Sequence, residues 1–375
     1  MRTRYSFLAG VAFVSFAAHG QLLLTDSVLP IDLAQSLAGT GVQVSNAELN
    51  GTSGFSPQAG LFDGSACNIG LADGVILATG SIHLAYGPND DGYMSMNVVE
   101  TYSDADLWEA SGAIDVYDYS VLEFDVVPAS DSLQIEYVFA SEEYPEYVCS
   151  QYNDVIGIFI SGPGLVGPYL YQGVNAALVP GTSIPVSINS INSGTAYWQL
   201  TLVDSFFCTM VDPLWYTHTA LYLANGDGNS SPQDTSAFYV QYDGFTTVLT
   251  AAATVQAGST YHVRVGVADL EDHGWDSAIF LKGGGVTSPL QTAIPHVQQG
   301  TLQLTQFQDE VMITVSGAST SANTAVLFDA TGRVVDSTPI NDGSALFPTS
   351  PLPIGSYFVC LPGSGIAPVR FMKLP

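Results

Sequence analysis

The chain has 375 residues, 47% of them hydrophobic, with 19 Tyr and 18 Phe, which is ample apolar surface for a large core and excludes a disordered chain. Lys and Arg number 7 against 35 Asp and Glu, a formal net charge of −28, and no Lys or Arg occurs between Tyr5 and Val263. A field of that sign repels nucleic acid and anionic lipid and attracts divalent cations or basic partners. Carboxylates buried in that span find no Lys or Arg within it, so unless one from outside reaches them they must be protonated, hydrogen-bonded or metal-bound.

Met1-Arg2-Thr3-Arg4, an apolar run from Tyr5 to Ala18, and Ala18-His19-Gly20 before Gln21 read as a secretory signal peptide over residues 1–20. No later run reaches the roughly 18 to 20 apolar residues that cross a bilayer, so no transmembrane segment is expected in the mature chain. Residues 28–39 carry apolar side chains at helical spacing, with Pro30 early and Gly39 at the end, and predict one short helix. Beyond it come short β-branched or alternating runs: 42–44, 74–78, 121–126, 132–139, 155–160, 183–188, 198–203, 237–242, 260–268 and 278–281. Such runs at such intervals predict an all-β fold, a large jelly-roll-like β-sandwich over 21–285. Gly283-Gly284-Gly285 and the Pro- and Thr-containing stretch 286–299 read as a boundary and linker. Strands expected near Leu302, 311–315, 325–328, 334–335 and 357–360 make a small C-terminal immunoglobulin-like β-sandwich over 300–375.

Two acidic turns between strands dominate the chemistry: Ser141-Glu142-Glu143-Tyr144-Pro145-Glu146 leading to Asn153-Asp154, and Asp269-Leu270-Glu271-Asp272-His273-Gly274-Trp275-Asp276. Calcium takes six to eight oxygens from carboxylates, carbonyls and water, and loops at one end of a sandwich can converge to supply them. Glu142, Glu143, Asp154, Asp269, Asp272 and Asp276 are therefore the expected calcium ligands. Six acids exceed the charge of one ion, so some must hydrogen-bond backbone or hold a second ion. The competing reading is turn chemistry, with the Glu residues accepting from turn amides and the Asp residues closing Asx turns. Asn225-Gly226-Asp227-Gly228-Asn229-Ser230 begins like an EF-hand but has Ser at the sixth position and no Glu at the twelfth, and reads as a hairpin turn.

Cys67, Cys149, Cys208 and Cys360 lie far apart with no C-x-x-C pair, which permits disulfides in an exported chain and argues against zinc. Three pairings are possible; Cys149 with Cys208 is favoured because one follows the first acidic turn and the other the Phe206-Phe207 run, taken as a strand end. Trp215 and Tyr216, in a loop-like stretch, are the exposed aromatic candidates for ligand stacking. His262 reads as a hydrogen-bonded core or rim residue, and His273 as solvated. There is no H-E-x-x-H and no G-x-S-x-G, so the catalytic alternative is a carbohydrate-active hydrolase using Glu142, Glu143 and Asp154.

Val44-Ser45-Asn46, the run from Gly74 to Gly80, Asp104-Ala105-Asp106-Leu107, Leu122-Glu123-Phe124-Asp125, the stretch from Phe139 to Tyr147, Asn153-Asp154, Tyr242-Asp243-Gly244-Phe245-Thr246 and the run from Ala268 to Ser277 follow in the order found in the extracellular choice-of-anchor L domain, which residues 25–285 resemble. That family shares an ectodomain behind variable anchoring devices, and the resemblance names no ligand. The C-terminal piece, with Asp329-Ala330-Thr331-Gly332-Arg333, Leu352-Pro353-Ile354-Gly355-Ser356-Tyr357 and Val369-Arg370-Phe371-Met372-Lys373, resembles the type A sorting domains of the Bacteroidetes type IX secretion system. Cys360 in the last strand and a terminal Leu374-Pro375 depart from that pattern. The resemblance implies the type IX machinery as partner and Gly332, Arg333, Gly355, Tyr357, Arg370 and Lys373 as its sorting signal. The expected protein is thus a secreted or outer-membrane surface binding or adhesion module, calcium-stabilised and non-catalytic, directed at surface glycans or other cells. A hydrolase and an inert surface component are the rival readings.

Overall fold

The computed structural model describes residues 22–98, 103–112, 115–196, 205–228, 239–289, 301–316, 324–362 and 368–374. The chain divides into two compact units between Leu290 and Gln291. The expected signal peptide and the expected strand 198–203 lie outside the described residues.

The first unit runs β1 (Leu23–Thr25), α1 (Pro30–Leu37), β2 (Val42–Leu49), β3 (Ala59–Asp63), β4 (Asp73–Ala78), α2 (Ala105–Ser111), β5 (Val116–Pro128), β6 (Ser132–Ser141), β7 (Val155–Ser161), β8 (Val174–Asn175), α3 (Phe206–Val211), β9 (Tyr222–Ala224), β10 (Gly244–Thr246), β11 (Leu249–Thr254), β12 (Tyr261–Leu270) and β13 (Ser277–Thr287). Among the described residues these strands form two sheets of antiparallel pairs. One has the order β1-β3-β4-β13-β6-β10-β9, with β11 also on β6; the other has the order β2-β5-β12-β7-β8.

Alternation builds three apolar layers. Val75 and Leu77 face the space between the sheets with Tyr137, Phe139, Leu122, Phe124, Ile156, Ile158, Val263 and Val265. Ile76 and Ala78 point the other way, into a second core with Val138, Ala140, Tyr242 and Phe280. Val121, Val155 and Phe159 emerge on the outer face of the other sheet, under Leu107 of α2. Central strands such as β7 are buried along their whole length and so read as continuous apolar runs. Each fully buried Leu, Ile or Phe contributes about 2 kcal/mol. Pro30 opens α1, whose Leu33, Ala34 and Leu37 enter the central core.

Several expectations are corrected. The Gly283-Gly284-Gly285 run lies inside β13, at a register shift between Leu281 and Val286, so the sandwich continues past the expected boundary at 285. Residues 183–188 and 239–242 make only isolated bridges, Leu178 to Pro185, Val155 to Ser187 and Tyr86 to Val240. Phe206 and Phe207 begin a helix, not end a strand. A helix missed in the sequence is α2, where Asp104 Oδ1 caps the amides of Asp106 and Leu107 at 3.0 Å each.

The second unit contains β14 (Thr301–Gln306), β15 (Glu310–Ser316), β16 (Thr324–Asp329), β17 (Val334–Pro339), β18 (Ser344–Pro348), β19 (Gly355–Cys360) and β20 (Val369–Lys373). They pair as β14-β15-β18 and β17-β16-β19-β20 around Val311, Ile313, Leu327, Phe347, Tyr357 and Phe371, a small sandwich. Asp329 Oδ1 accepts from the amides of Thr331 and Arg333 at 2.9 and 3.1 Å, closing a turn in which Gly332 takes φ +82°. Tyr357 stacks on Phe371 at 5.4 Å and its hydroxyl donates to Pro353 O at 2.7 Å. Gly355 pairs with Lys373, and Arg370 Nη2 donates to Ser356 Oγ at 3.0 Å.

Candidate functional site

Strand register brings the acidic turns to one end of the first unit. Ser141 pairs with both Ser277 and Gly244 in one sheet, while Val155 pairs with Ala268 and Val116 with Leu270 in the other. Glu142 and Glu143 follow Ser141, Asp276 precedes Ser277, Asp243 precedes Gly244 and Asp154 precedes Val155, so their carboxylates gather where the two sheets end.

Of the six acids expected as ligands, five are buried there: Glu142, Glu143, Asp154, Asp269 and Asp276. Asp154 ties the sheets together, its Oδ1 accepting from the Leu270 amide at 3.1 Å and its Oδ2 from Ser277 Oγ at 2.6 Å. Glu143 Oε2 accepts from the Asp154 amide at 3.2 Å. Asp276 accepts from the Met96 amide at 3.2 Å, seated over Gly80, where a Cβ would lie 1.9 Å from its Oδ2. Asp272 stands apart, half-buried, its Oδ1 accepting from the Gly274 amide at 2.9 Å in an Asx turn. No donor stands in hydrogen-bond geometry to either oxygen of Glu142 or of Asp269, although Gln241 lies close to the first and Thr79 to the second.

Burial pushes the carboxyls of Glu142, Glu143, Asp154 and Asp269 well above the usual carboxylate range. Neighbouring carboxylates add to this: Asp243 and Asp276 act on Glu142, and Asp154 acts on both Glu143 and Asp269. Asp276 is raised to about 8 and Asp243 to about 9, burial leading in both. The Lys and Arg side chains described in the unit are committed elsewhere: Arg264 to Asp104, Asp106 and Glu123, and Lys282 to Glu136. Among the described residues, no three His, Cys, Asp or Glu side chains stand ready-made around one metal position.

Sequence reasoning missed Asp118, Asn89 and the strap formed by 89–98; it noted Asp243 only within a family motif and set the Asn225 loop aside as a hairpin turn. The strap crosses the acidic end through Trp275 Nε1 to Gly92 O at 3.1 Å, the Asp276 amide to Met94 O at 3.1 Å, Ser95 Oγ to His273 O at 2.9 Å and the Val98 amide to Asp118 Oδ1 at 2.9 Å. Its one signal was Asn89-Asp90-Asp91-Gly92, a turn-rich acidic stretch. His273, expected in solvent, is part-exposed and joins Asp118 Oδ2 at 2.9 Å. His262 sits on the rim between Glu123 and Asp125 at 3.1 and 2.9 Å. There it lines a cleft of about 370 Å³ with Asp125, Ser161, Thr260 and Tyr171, whose ring is 73% exposed.

Cys149 and Cys208 form a disulfide that staples the first acidic turn to α3, while Cys67 and Cys360 are free. Trp215 is buried in the central core, only 7% exposed, because Asp212 and the disulfide fold its turn inward; it offers no face to a ligand. Tyr216 beside it is exposed. No helix among the described residues is long and apolar enough to cross a membrane.

Among solved structures the chain is similar to a β-glucuronidase from Ruminococcus gnavus in complex with uronic isofagomine, at 6% identity over 67% of this chain and 35% of that one, TM-score 0.14. It is also similar to a β-1,2-glucanase from Parabacteroides distasonis, at 9% identity over 93% and 39%, TM-score 0.19. The chain spans well under half the length of either, and likeness at those TM-scores carries no argument about activity. No curated protein matches. The model of the choice-of-anchor L domain matches residues 25–287, most of the chain and all of the sandwich that carries the acidic end except the first two residues of β1. The chain belongs to the choice-of-anchor L domain family.

Proposed function

We propose that this is an exported cell-surface binding module, non-catalytic, whose acidic end is held together by calcium. Family membership supports a cell-surface module. The observation that carries the calcium reading is the buried assembly of Glu142, Glu143, Asp154, Asp269 and Asp276, served by no basic side chain among the described residues. An isolated buried carboxylate costs several kcal/mol, which a hard divalent cation offsets with oxygen ligands of this kind. Burial also disfavours the hydrolase reading, since Glu142, Glu143 and Asp154 are all 1% exposed or less and a glycosidic bond must lie between its two carboxyls. Surface glycans are the proposed ligand class, with the rim cleft of Tyr171, His262 and Asp125 as the contact surface.

The chain without residues 1–20 is expected to bind a glycan array or whole cells saturably in calcium and to lose that binding in excess chelator. A flat signal in both conditions would leave an inert coat component, and release of sugar would favour the hydrolase. The second unit is proposed to be the type IX sorting domain, supported by the order of its Gly332-Arg333, Gly355, Tyr357, Arg370 and Lys373 positions. Removing residues 291–375 is expected to trap the first unit in the periplasm of a host with that machinery; surface display of the truncated chain would end this assignment.

A further inference from the structure

The six acids expected as ligands leave out a second group of oxygens at the same end, and that group has the chemistry of a cation site in its own right. Asn225, which follows β9, spends both amide hydrogens on main-chain carbonyls: Nδ2 donates to Val240 O and Tyr242 O, each at 2.8 Å. This fixes which way the amide points, and its Oδ1 is left buried with no donor. Asp243 is oriented likewise, its Oδ1 accepting from Asn89 Nδ2 at 2.6 Å, while its Oδ2 has no donor. Asn89 Nδ2 also donates to Asn225 O at 3.0 Å, so one side chain holds both residues in place.

Glu142 faces the same group with both oxygens unpaired. Gln241 lies close enough to favour its ionised form, but that amide is directed to Asn89 Oδ1 at 3.3 Å and to Asp91 O. Glu142 and Asp243 are each 0% exposed and Asn225 is 4% exposed.

We propose that Glu142, Asn225 and Asp243 form a calcium site, with main-chain carbonyls and water completing its shell. Every unpaired atom in the group is a hard oxygen, and no nitrogen or sulfur competes, which is the donor set of calcium and not of zinc. Protonation can neutralise a carboxylate, but it leaves the Asn225 oxygen needing a partner. The His side chains described in this unit are occupied elsewhere: His83 with Asp26, His218 with Asp212, His262 with Glu123 and Asp125, and His273 with Asp118. Two acids and one neutral amide also give a charge that a single divalent ion balances, unlike the six acids expected from sequence. The proposal rests on the reading of the acidic end as calcium-stabilised and names one place where the ion sits.

The test uses the chain without residues 1–20, stripped with chelator, and measures calcium binding by calorimetry and melting with and without calcium. Glu142→Gln and Asp243→Asn keep shape and remove charge. Each is expected to weaken calcium binding tenfold or more, to melt above the parent in chelator and to melt below it in calcium. That reversal of sign separates a lost ligand from damaged folding, and Asp63→Asn at the exposed end of β3 is expected to respond to calcium as the parent does. Variants that melt higher in both conditions would mean that Glu142 and Asp243 share a proton and hold no metal, which overturns the site. Unchanged calcium affinity in both variants would overturn it too, while leaving the calcium-stabilised reading to Asp154 and Asp269. No calcium binding by the parent would overturn both.

Discussion

In excess chelator the melting temperature of this protein is expected to fall as the pH rises from about 5 to about 8, the reverse of ordinary acid denaturation. In the unfolded chain Asp and Glu ionise near pH 4, whereas burial holds the carboxyls of Glu142, Glu143, Asp154 and Asp269 protonated well above that, Asp276 to about 8 and Asp243 to about 9. Between those limits the unfolded state has released protons that the folded state keeps, so stability is full below about pH 4 and is lost as the pH climbs toward the folded values. Each net proton retained costs about 1.4 kcal/mol per pH unit. His262, raised by its hydrogen bond to Glu123, contributes in the same direction, whereas Glu123, lowered by the same bond, contributes the opposite way and only at acid pH. Saturating calcium should flatten the slope, because an ion that binds carboxylates replaces their protons. Melting curves across that range, with chelator and with calcium, decide it: a temperature that holds steady or rises with pH in chelator would mean that these carboxyls ionise freely in the folded state.

The sandwich was legible because its central strands are apolar on both faces or alternate strictly; Leu122 to Val126 and Val155 to Ile160 announce themselves. The acidic turns were legible for the same reason, since Glu142 and Asp154 interrupt apolar strands. Asp243, Asn225 and Asn89 were not, because each stands alone in a Gly-, Asn- or Asp-rich turn with no period. Asp243 and Asn225 reach Glu142 only when β10 pairs with both β6 and β9, and Asn89 joins them from the strap, tertiary events that short-range pattern does not encode. The same limit explains the misread runs. Residues 183–188 look like a strand by composition, yet the chain there pairs only through single bridges. Trp215 sits in a Pro-containing, loop-like stretch that reads as surface, but it is buried in the same core cluster as Cys208, which the disulfide anchors. Helix α2 is only seven residues long, too short for periodicity to show, and its one local signal was the cap at Asp104.

Replacing Arg264 by Met is expected to destabilise the first unit by about 3 to 5 kcal/mol, among the largest effects available from one residue outside the core. Arg264 is the first basic residue after Arg4 and its guanidinium is 8% exposed. Nη2 meets Asp104, Nη1 meets Asp106 and Nε donates to Glu123 Oε2 at 3.2 Å, so one side chain joins β12, the start of α2 and β5. Without it Asp104 and Asp106 lose the one cation that pairs with them among the described residues and Glu123 keeps only His262, while Asp106 is already raised by burial and held by the Leu170 amide at 2.6 Å. At roughly 2 to 4 °C per kcal/mol the melting temperature should drop by about 10 °C. Arg264→Lys should lie between, keeping the charge but losing the fork that serves three acids at once. Both deficits should shrink toward about pH 4, where the orphaned carboxyls protonate. A variant within about 1 kcal/mol of the parent at neutral pH would show that these acids are hydrated or protonated already. The contrast within one unit is the physical reason for looking outside the chain at its other end: under α2 the fold places its own cation among the acids, whereas around Glu142 and Asp243 it supplies only more oxygen.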